Sequence, residues 1–286
     1  MRMILTVDIG NTTVSFCGAE RCGVRDYEIA FCAKIDTVKT QDAGYYTQAI
    51  RQVLLDREIP LDFEGAVLSS VVPCLTEAVG KGVEALIGRR PVEITAESLL
   101  GFSLDVKEPQ KVGLDRLADA AWAAEHYPLP VVTVDMGTAT TFNVIDEDRV
   151  FRGGAITAGL ETGLCALSSK ASQLPKIELS TPEHLIGTDT EECMRSGAVM
   201  GAAAMIDGIT AGFERELGKK ATLVLTGGLA RFAAPLCRHE YVYDPGLLPK
   251  GLALLYDLNI REPALVLETA LLEVSEELEL REEKIS

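Results

Sequence analysis

The stretch ILTVDIGNTTVSF, Ile4–Phe16, returns in altered form as VVTVDMGTATTFNV at Val131–Val144. Each copy is a β-branched hydrophobic run ending in an aspartate, Asp8 or Asp135, then a glycine turn, then threonine and a second strand-like run. Such residues favour strands, and a glycine between two of these runs reads as a tight return. The two aspartates are separated by about the length of one domain. The chain has 286 residues, 47% of them hydrophobic, enough for two ordinary cores, so it reads as a duplication.

Outward from the first turn, strands are expected at Ile4–Asp8, Thr12–Cys17 and Val24–Ala33. The spacing predicts a helix over Thr40–Glu58, with Tyr46, Ile50, Val53 and Leu54 on one stripe. A buried strand at Gly65–Val71 follows, then a helix at Leu75–Ile87 stopped by Gly88, then a short strand at Val92–Thr95. Val112–Tyr127 reads as an alanine-rich helix that opens at Gly113 and ends before Pro128 and Pro130. The second half repeats the plan: strands Val131–Asp135, Thr140–Ile145 and Val150–Ile156, and a helix over Gly159–Ala171. A long small-residue helix, Glu191–Leu217, is expected to break near Gly208. The strand Ala221–Thr226, a glycine pair with a helix after it, and a last helix, Leu247–Leu258, complete the pattern.

Two βββ-αβα units imply an α/β fold of two duplicated domains with mixed β-sheets, the first three strands antiparallel, and an interdomain cleft. The boundaries read as 1–117 and 118–260. Residues 261–286 carry eight Glu and three basic residues, with Leu267, Leu271, Val274 and Leu278 at helical intervals, an acidic helical extension.

The formal charge of −16 repels phosphate backbones and argues against nucleic acid as a main partner. It does not bar a small anion, which backbone N–H groups bind whatever the net charge. The seven cysteines form no C-x-x-C, and none pairs with the three histidines at zinc-ligand spacing. Scattered free thiols suit a reducing compartment. No secretory pattern and no run of 18 apolar residues is present, so the expectation is a cytoplasmic protein with no membrane span.

The turns suggest the chemistry. Around Gly10 the backbone approaches a ligand closely, and the N–H groups of Gly10, Asn11 and Thr12 form a candidate anion nest, with the Thr12 and Thr13 hydroxyls as added donors. Asp8, at the strand end, offers a carboxylate to Mg²⁺, which takes one or two carboxylates, waters and phosphate oxygens. A plain hairpin with Asn in its turn needs no ligand. Two copies, together with LVLTGGLA at Leu223–Ala230, favour a nucleotide phosphotransfer site in which Gly227 and Gly228 admit a base or ribose.

This pattern resembles the sugar kinase/heat-shock-70/actin superfamily, whose domains are ribonuclease H-like (actin-like ATPase) folds. With DIGNT, VGLDR, DMGTATT and GGAITAGL in this order, the chain resembles the type III pantothenate kinases from Met3 to about Asn259. The resemblance implies ATP-dependent phosphorylation of pantothenate to 4′-phosphopantothenate, the first step of coenzyme A biosynthesis, by a homodimer. It implies that Asp8, Ile9, Gly10, Asn11, Thr12, Thr13, Val14 and Ser15 hold ATP phosphates and Mg²⁺, and that Thr138 contacts ATP. Gly113, Leu114, Asp115 and Arg116 match the pantothenate-binding Gly-x-Asp-Arg, with Asp115 the catalytic base; Thr190 matches a further pantothenate contact. Asp135 matches a ligand of a monovalent cation, K⁺ or NH₄⁺.

The base role also has a physical rationale: a primary hydroxyl attacks phosphorus only when its proton has an acceptor. Arg116 beside it is a fork for a substrate carboxylate. Asp115 as a helix-terminus residue, with Arg116 in a surface pair, is the plainer alternative. Three positions depart from the family. Val106 stands where substrate-binding tyrosine is common. Ala158-Gly159-Leu160 replaces Pro-Gly-Leu. Asp189 replaces an Asn and adds a negative charge near an anionic substrate. These departures keep open a kinase of another small hydroxylated substrate, or a non-catalytic nucleotide-binding regulatory paralogue.

Overall fold

The computed structural model describes residues 3–260, so the extension expected over 261–286 lies outside the described residues. Within that range the chain divides into two units, residues 3–100 with 252–260, and residues 101–251.

In the first unit, β1 (Met3–Ile9), β2 (Thr13–Gly23) and β3 (Asp26–Asp36) form an antiparallel meander. Helix α1 (Ala43–Asp56) leads to β4 (Phe63–Ser70), and α2 (Pro73–Ile87) leads to β5 (Val92–Glu93). Both of these strands join in parallel, and the sheet order is β3-β2-β1-β4-β5. Helix α1 starts where the Asp42 carboxylate accepts the Tyr45 N–H at 3.0 Å. It buries Tyr46, Ile50 and Leu54, the expected stripe, against Val79 and Val83 of α2 and the sheet. Helix α2 ends at Gly88, whose φ of 74° suits glycine.

In the second unit, β6 (Ser103–Leu104) and α3 (Leu114–His126) precede β7 (Val131–Met136), β8 (Ala139–Ile145) and β9 (Val150–Ala158), again an antiparallel meander. Helices α4 (Leu160–Lys170) and α5 (Thr190–Leu217) lead to β10 (Thr222–Thr226), and a short helix α6 (Ala230–Ala233) leads to β11 (Tyr241–Tyr243). The sheet order is β11-β10-β7-β8-β9-β6. Leaving out β6, this is the first sheet's order and sense repeated strand for strand, the duplication expected of the two turns.

Two elements differ from the sequence reading. Helix α5 is unbroken through Gly208. Glycine keeps its N–H for the helical ladder, and Val199, Ala203, Ile206 and Thr210 pin the helix on its buried side. The boundary read at 117/118 falls inside α3, which lies wholly in the second unit. A final helix, α7, over residues 247–260, begins in the second unit and continues in the first. No composition shift marks either position.

The expectation of free thiols throughout is also corrected. Cys17 and Cys32 face each other in the β2–β3 ladder and form a disulfide, while the other five cysteines are free. Their separation of 15 residues hid a pairing that only the hairpin register creates.

Candidate active site

In the first turn Asp8 pairs opposite Ser15 and Ile9 opposite Val14, leaving residues 10–13 as the loop. The Gly10 N–H donates to the Thr13 carbonyl at 2.9 Å, so it closes the turn and is not a nest donor as expected. Asn11 and Thr12 are exposed at the tip. The side chains of Ile9 and Val14 are fully buried in the core, leaving only their backbone to meet a ligand. Asp8 is half-buried, and its Oδ1 accepts the Ser69 hydroxyl at 2.5 Å. Ser69 is its neighbour in the parallel β1–β4 register and is itself fully buried. Just beyond β3, the Thr37 hydroxyl donates to the Gly10 carbonyl at 2.7 Å and its N–H to the Thr12 carbonyl at 2.9 Å. Three segments therefore fix the turn. Ser69 and Thr37 escaped the sequence reading, although hydroxyls at the carboxyl end of a buried strand are a usable signal, because ligands bind at such ends.

The second turn is one residue shorter, with residues 137–139 between Met136 and its partner Thr140. The Gly137 N–H donates to the Ala139 carbonyl at 2.9 Å, and Thr138 is exposed at the tip. The Thr138 carbonyl accepts the Gly159 N–H at 3.1 Å and the Thr162 hydroxyl at 2.7 Å. A side chain at Gly159 would place Cβ 2.2 Å from the Gly137 carbonyl, which explains the glycine between Ala158 and Leu160. Gly227 has φ +86°, and a Cβ there would lie 2.3 Å from the Asp135 carboxylate. The glycine pair expected as a separate third element thus lies against the second turn, while open space surrounds Gly228. Asp135 is half-buried.

Gly113 caps α3 without a side-chain bond, and Asp115 lies in the first helical turn, where the helix dipole favours its negative charge. The Asp115 carboxylate accepts the Arg116 N–H at 2.8 Å, and a Cβ on Gly113 would sit 2.4 Å from that oxygen. The Gly-x-Asp-Arg glycine therefore keeps room for the acid. Arg116 is directed at neutral partners: Nε donates to Asn143 Oδ1 at 2.6 Å, Nη2 to the Phe142 carbonyl at 3.4 Å, and the guanidinium lies 5.6 Å from the Phe151 ring centre. Burial pulls its pKa down, the Asp115 charge opposes this, and an arginine stays cationic at neutral pH. Val106, half-buried, borders Gly153, two residues along β9 from Phe151.

Thr190 is the exposed first residue of α5. The bonds of the Asp115–Arg116 pair do not include it. The negative charge expected near substrate at Asp189 is instead turned onto its own helix, where the carboxylate accepts the Glu192 N–H at 2.8 Å as an N-cap. Among the described residues no three His, Cys, Asp or Glu side chains gather as a metal cage. A single carboxylate beside an exposed turn, as at Asp8, is the donor set of Mg²⁺ that keeps its waters and takes phosphate oxygens.

The pattern defining type III pantothenate kinases matches residues 4–212. The chain belongs to the type III pantothenate kinases. The type III pantothenate kinase of Exiguobacterium sibiricum is 35% identical over 259 residues, covering 90% of this chain and all of that one. That of Moorella thermoacetica is 35% identical over 262 residues, with 90% and 100% coverage. Among solved structures, a Campylobacter jejuni protein described as a conserved Baf family transcriptional activator superposes with a TM-score of 0.54 at 21% identity, over 88% of this chain and 97% of that one. At that identity it speaks for the fold alone. Membership of the type III pantothenate kinases makes the chain a transferase of coenzyme A biosynthesis that uses ATP.

Proposed function

We propose that Asp115 is the general base in the reaction of this family, transfer of the γ-phosphoryl group of ATP to pantothenate. The pantothenate hydroxyl oxygen attacks the γ-phosphorus, its proton passes to the Asp115 carboxylate, and the bond to the ADP oxygen breaks. What supports this is the pairing at the start of α3: an acid given room by Gly113, beside a half-buried arginine whose side chain donates to the neutral oxygens of Asn143 and Phe142. Arg116 receives the carboxylate of pantothenate, and Gly113, Leu114, Val106 and Thr190 complete that substrate's contacts.

Asp8 holds Mg²⁺, which supplies charge neutralisation on the phosphates. Within Ile9–Ser15 the exposed tip at Asn11 and Thr12, with the Thr12 and Thr13 hydroxyls, receives phosphate oxygens, and Thr138, Gly227 and Gly228 border the nucleotide. Asp135 holds K⁺ or NH₄⁺. Its carboxylate, near the end of β7, would supply the charged oxygen for such an ion.

The protein acts as a homodimer. Support comes from an apolar groove of about 410 Å³ on α4 and α5, bordered by Leu160, Leu164, Leu167, Met194, Ala198 and Met205. Leu167, on its rim, is 47% exposed, and a contiguous apolar groove of this kind suits an interface with a second copy.

The test is pantothenate-dependent release of ADP by purified protein, with the product identified by mass and the assay repeated in K⁺, NH₄⁺ and Na⁺. Phosphopantothenate formed in K⁺ or NH₄⁺ and little in Na⁺ is expected. No product with pantothenate would overturn the substrate; equal rates in all three salts would overturn the cation role of Asp135.

A further inference from the structure

Asn143 lies on β8, fully buried, with its side chain between two other groups. Its Nδ2 donates to the Thr133 hydroxyl on β7 at 3.0 Å, and Thr133 is also fully buried. That bond fixes the amide orientation and turns Oδ1 toward Arg116, whose Nε donates to it at 2.6 Å. Phe151, one strand over on β9, supports the guanidinium from its face. Arg116 is thereby held by its inner edge, and among the described residues Nη1 has no protein hydrogen bond.

The identity of the acceptor matters. A guanidinium loses conformational freedom when it binds a carboxylate, and binding is tighter when that order is already present. A neutral amide oxygen supplies order without cancelling charge. Arg116 thus keeps its charge in a half-buried place, where its attraction for an anion is stronger than in open solvent.

We infer that Asn143, oriented by Thr133, is a positioning residue that presents Arg116 to the carboxylate of the acceptor substrate and so sets the preference for an acid over its uncharged analogue. This rests on the reading of Arg116 as the carboxylate-binding residue. Neither Asn143 nor Thr133 touches the substrate in this scheme; both act through the guanidinium.

The test compares pantothenate with its alcohol analogue, in which a hydroxymethyl group replaces the carboxylate. Each competes for the acceptor site of wild type and of Asn143→Leu, Asn143→Asp, Thr133→Val and Arg116→Ala, with the KM for ATP measured alongside. Asn143→Leu removes the acceptor at similar volume. It is expected to weaken pantothenate binding about 10- to 100-fold, the scale of one hydrogen bond to a charged group, with the KM for ATP and the affinity for the alcohol within about threefold. Asn143→Asp keeps an acceptor oxygen but sets a negative charge against the guanidinium, so it too is expected to lose the preference for pantothenate over the alcohol, with the affinity for the alcohol within about threefold. Thr133→Val, which frees the amide to flip, gives a smaller loss in the same direction and serves if Asn143→Leu does not fold. Equal weakening toward ATP, pantothenate and the alcohol would mark a merely structural role and overturn the inference. A lost preference in Arg116→Ala but an intact one in Asn143→Leu or Thr133→Val would overturn the inference alone. An intact preference in Arg116→Ala would overturn the reading of Arg116 beneath it.

Discussion

The Ser69 hydroxyl helps to place the Asp8 carboxylate. Ser69 sits beside it in the β1–β4 register, is wholly enclosed, and donates at 2.5 Å. A carboxylate oriented in this way loses little freedom on binding a cation, and outer partners of this kind commonly matter about 10- to 100-fold for metal affinity. Ser69→Ala is therefore expected to raise the Mg²⁺ concentration for half-maximal activity by about tenfold, with kcat at saturating Mg²⁺ changed much less. Magnesium titrations of both proteins decide it, and superimposable curves would deny Ser69 that role. Asp189 shows the reverse relation between residue and function: a charge that seemed hostile to an anionic substrate is occupied in capping α5. The sequence pattern Asp-Thr-Glu-Glu before a long helix already contained that explanation, since Asp is a preferred N-cap.

Helix α5 is fastened to the segments that precede β10 and β11 by two carboxylates. Asp207 accepts the N–H groups of Arg238 at 2.9 Å and His239 at 3.0 Å, and Glu214 accepts Lys220 at 2.8 Å and the Ala221 N–H at 3.2 Å. The His239 ring faces both acids, with Nδ1 3.2 Å from Asp207 and Nε2 3.5 Å from Glu214. Burial pushes both acids up, but those bonds outweigh it and hold them below their ordinary values of 3.8 and 4.5. A carboxyl group with a depressed folded pKa stabilises above its unfolded value, and the gain is lost as pH falls through the folded one. Stability from urea unfolding should thus fall as pH drops below about 5, and Asp207→Asn, which keeps an acceptor but no charge, should flatten that slope. Identical slopes would show that Asp207 carries none of it. Most elements here were legible: the stripe of α1 and the Gly88 stop of α2 follow from periodicity and from glycine at positive φ. The Gly10 N–H, the Asn143–Arg116 bond and the Cys17–Cys32 pair were not, because each depends on a register or a contact between distant segments.

At the scale of the molecule, the repeated aspartate turn was enough to imply two copies of one sheet, and the strand orders bear that out. The division into units was less legible, since α3 and α7 each extend beyond the copy that precedes them and hydrophobic periodicity does not say which sheet a helix covers. The groove on α4 and α5 belongs to this scale as well. Sedimentation equilibrium at micromolar concentration is expected to read twice the mass of 30.8 kDa, and Leu167→Glu to shift the protein toward monomer. A wild-type monomer would remove the dimer from the account.

In the proposed reaction Asp115 takes the proton as pantothenate is phosphorylated. Its most direct test is the rate of pantothenate-dependent ADP release by Asp115→Asn beside wild type, with ATP affinity measured on both. Turnover lower by about 10²–10⁴-fold with nucleotide affinity unchanged is expected. Wild-type turnover in the variant would contradict it.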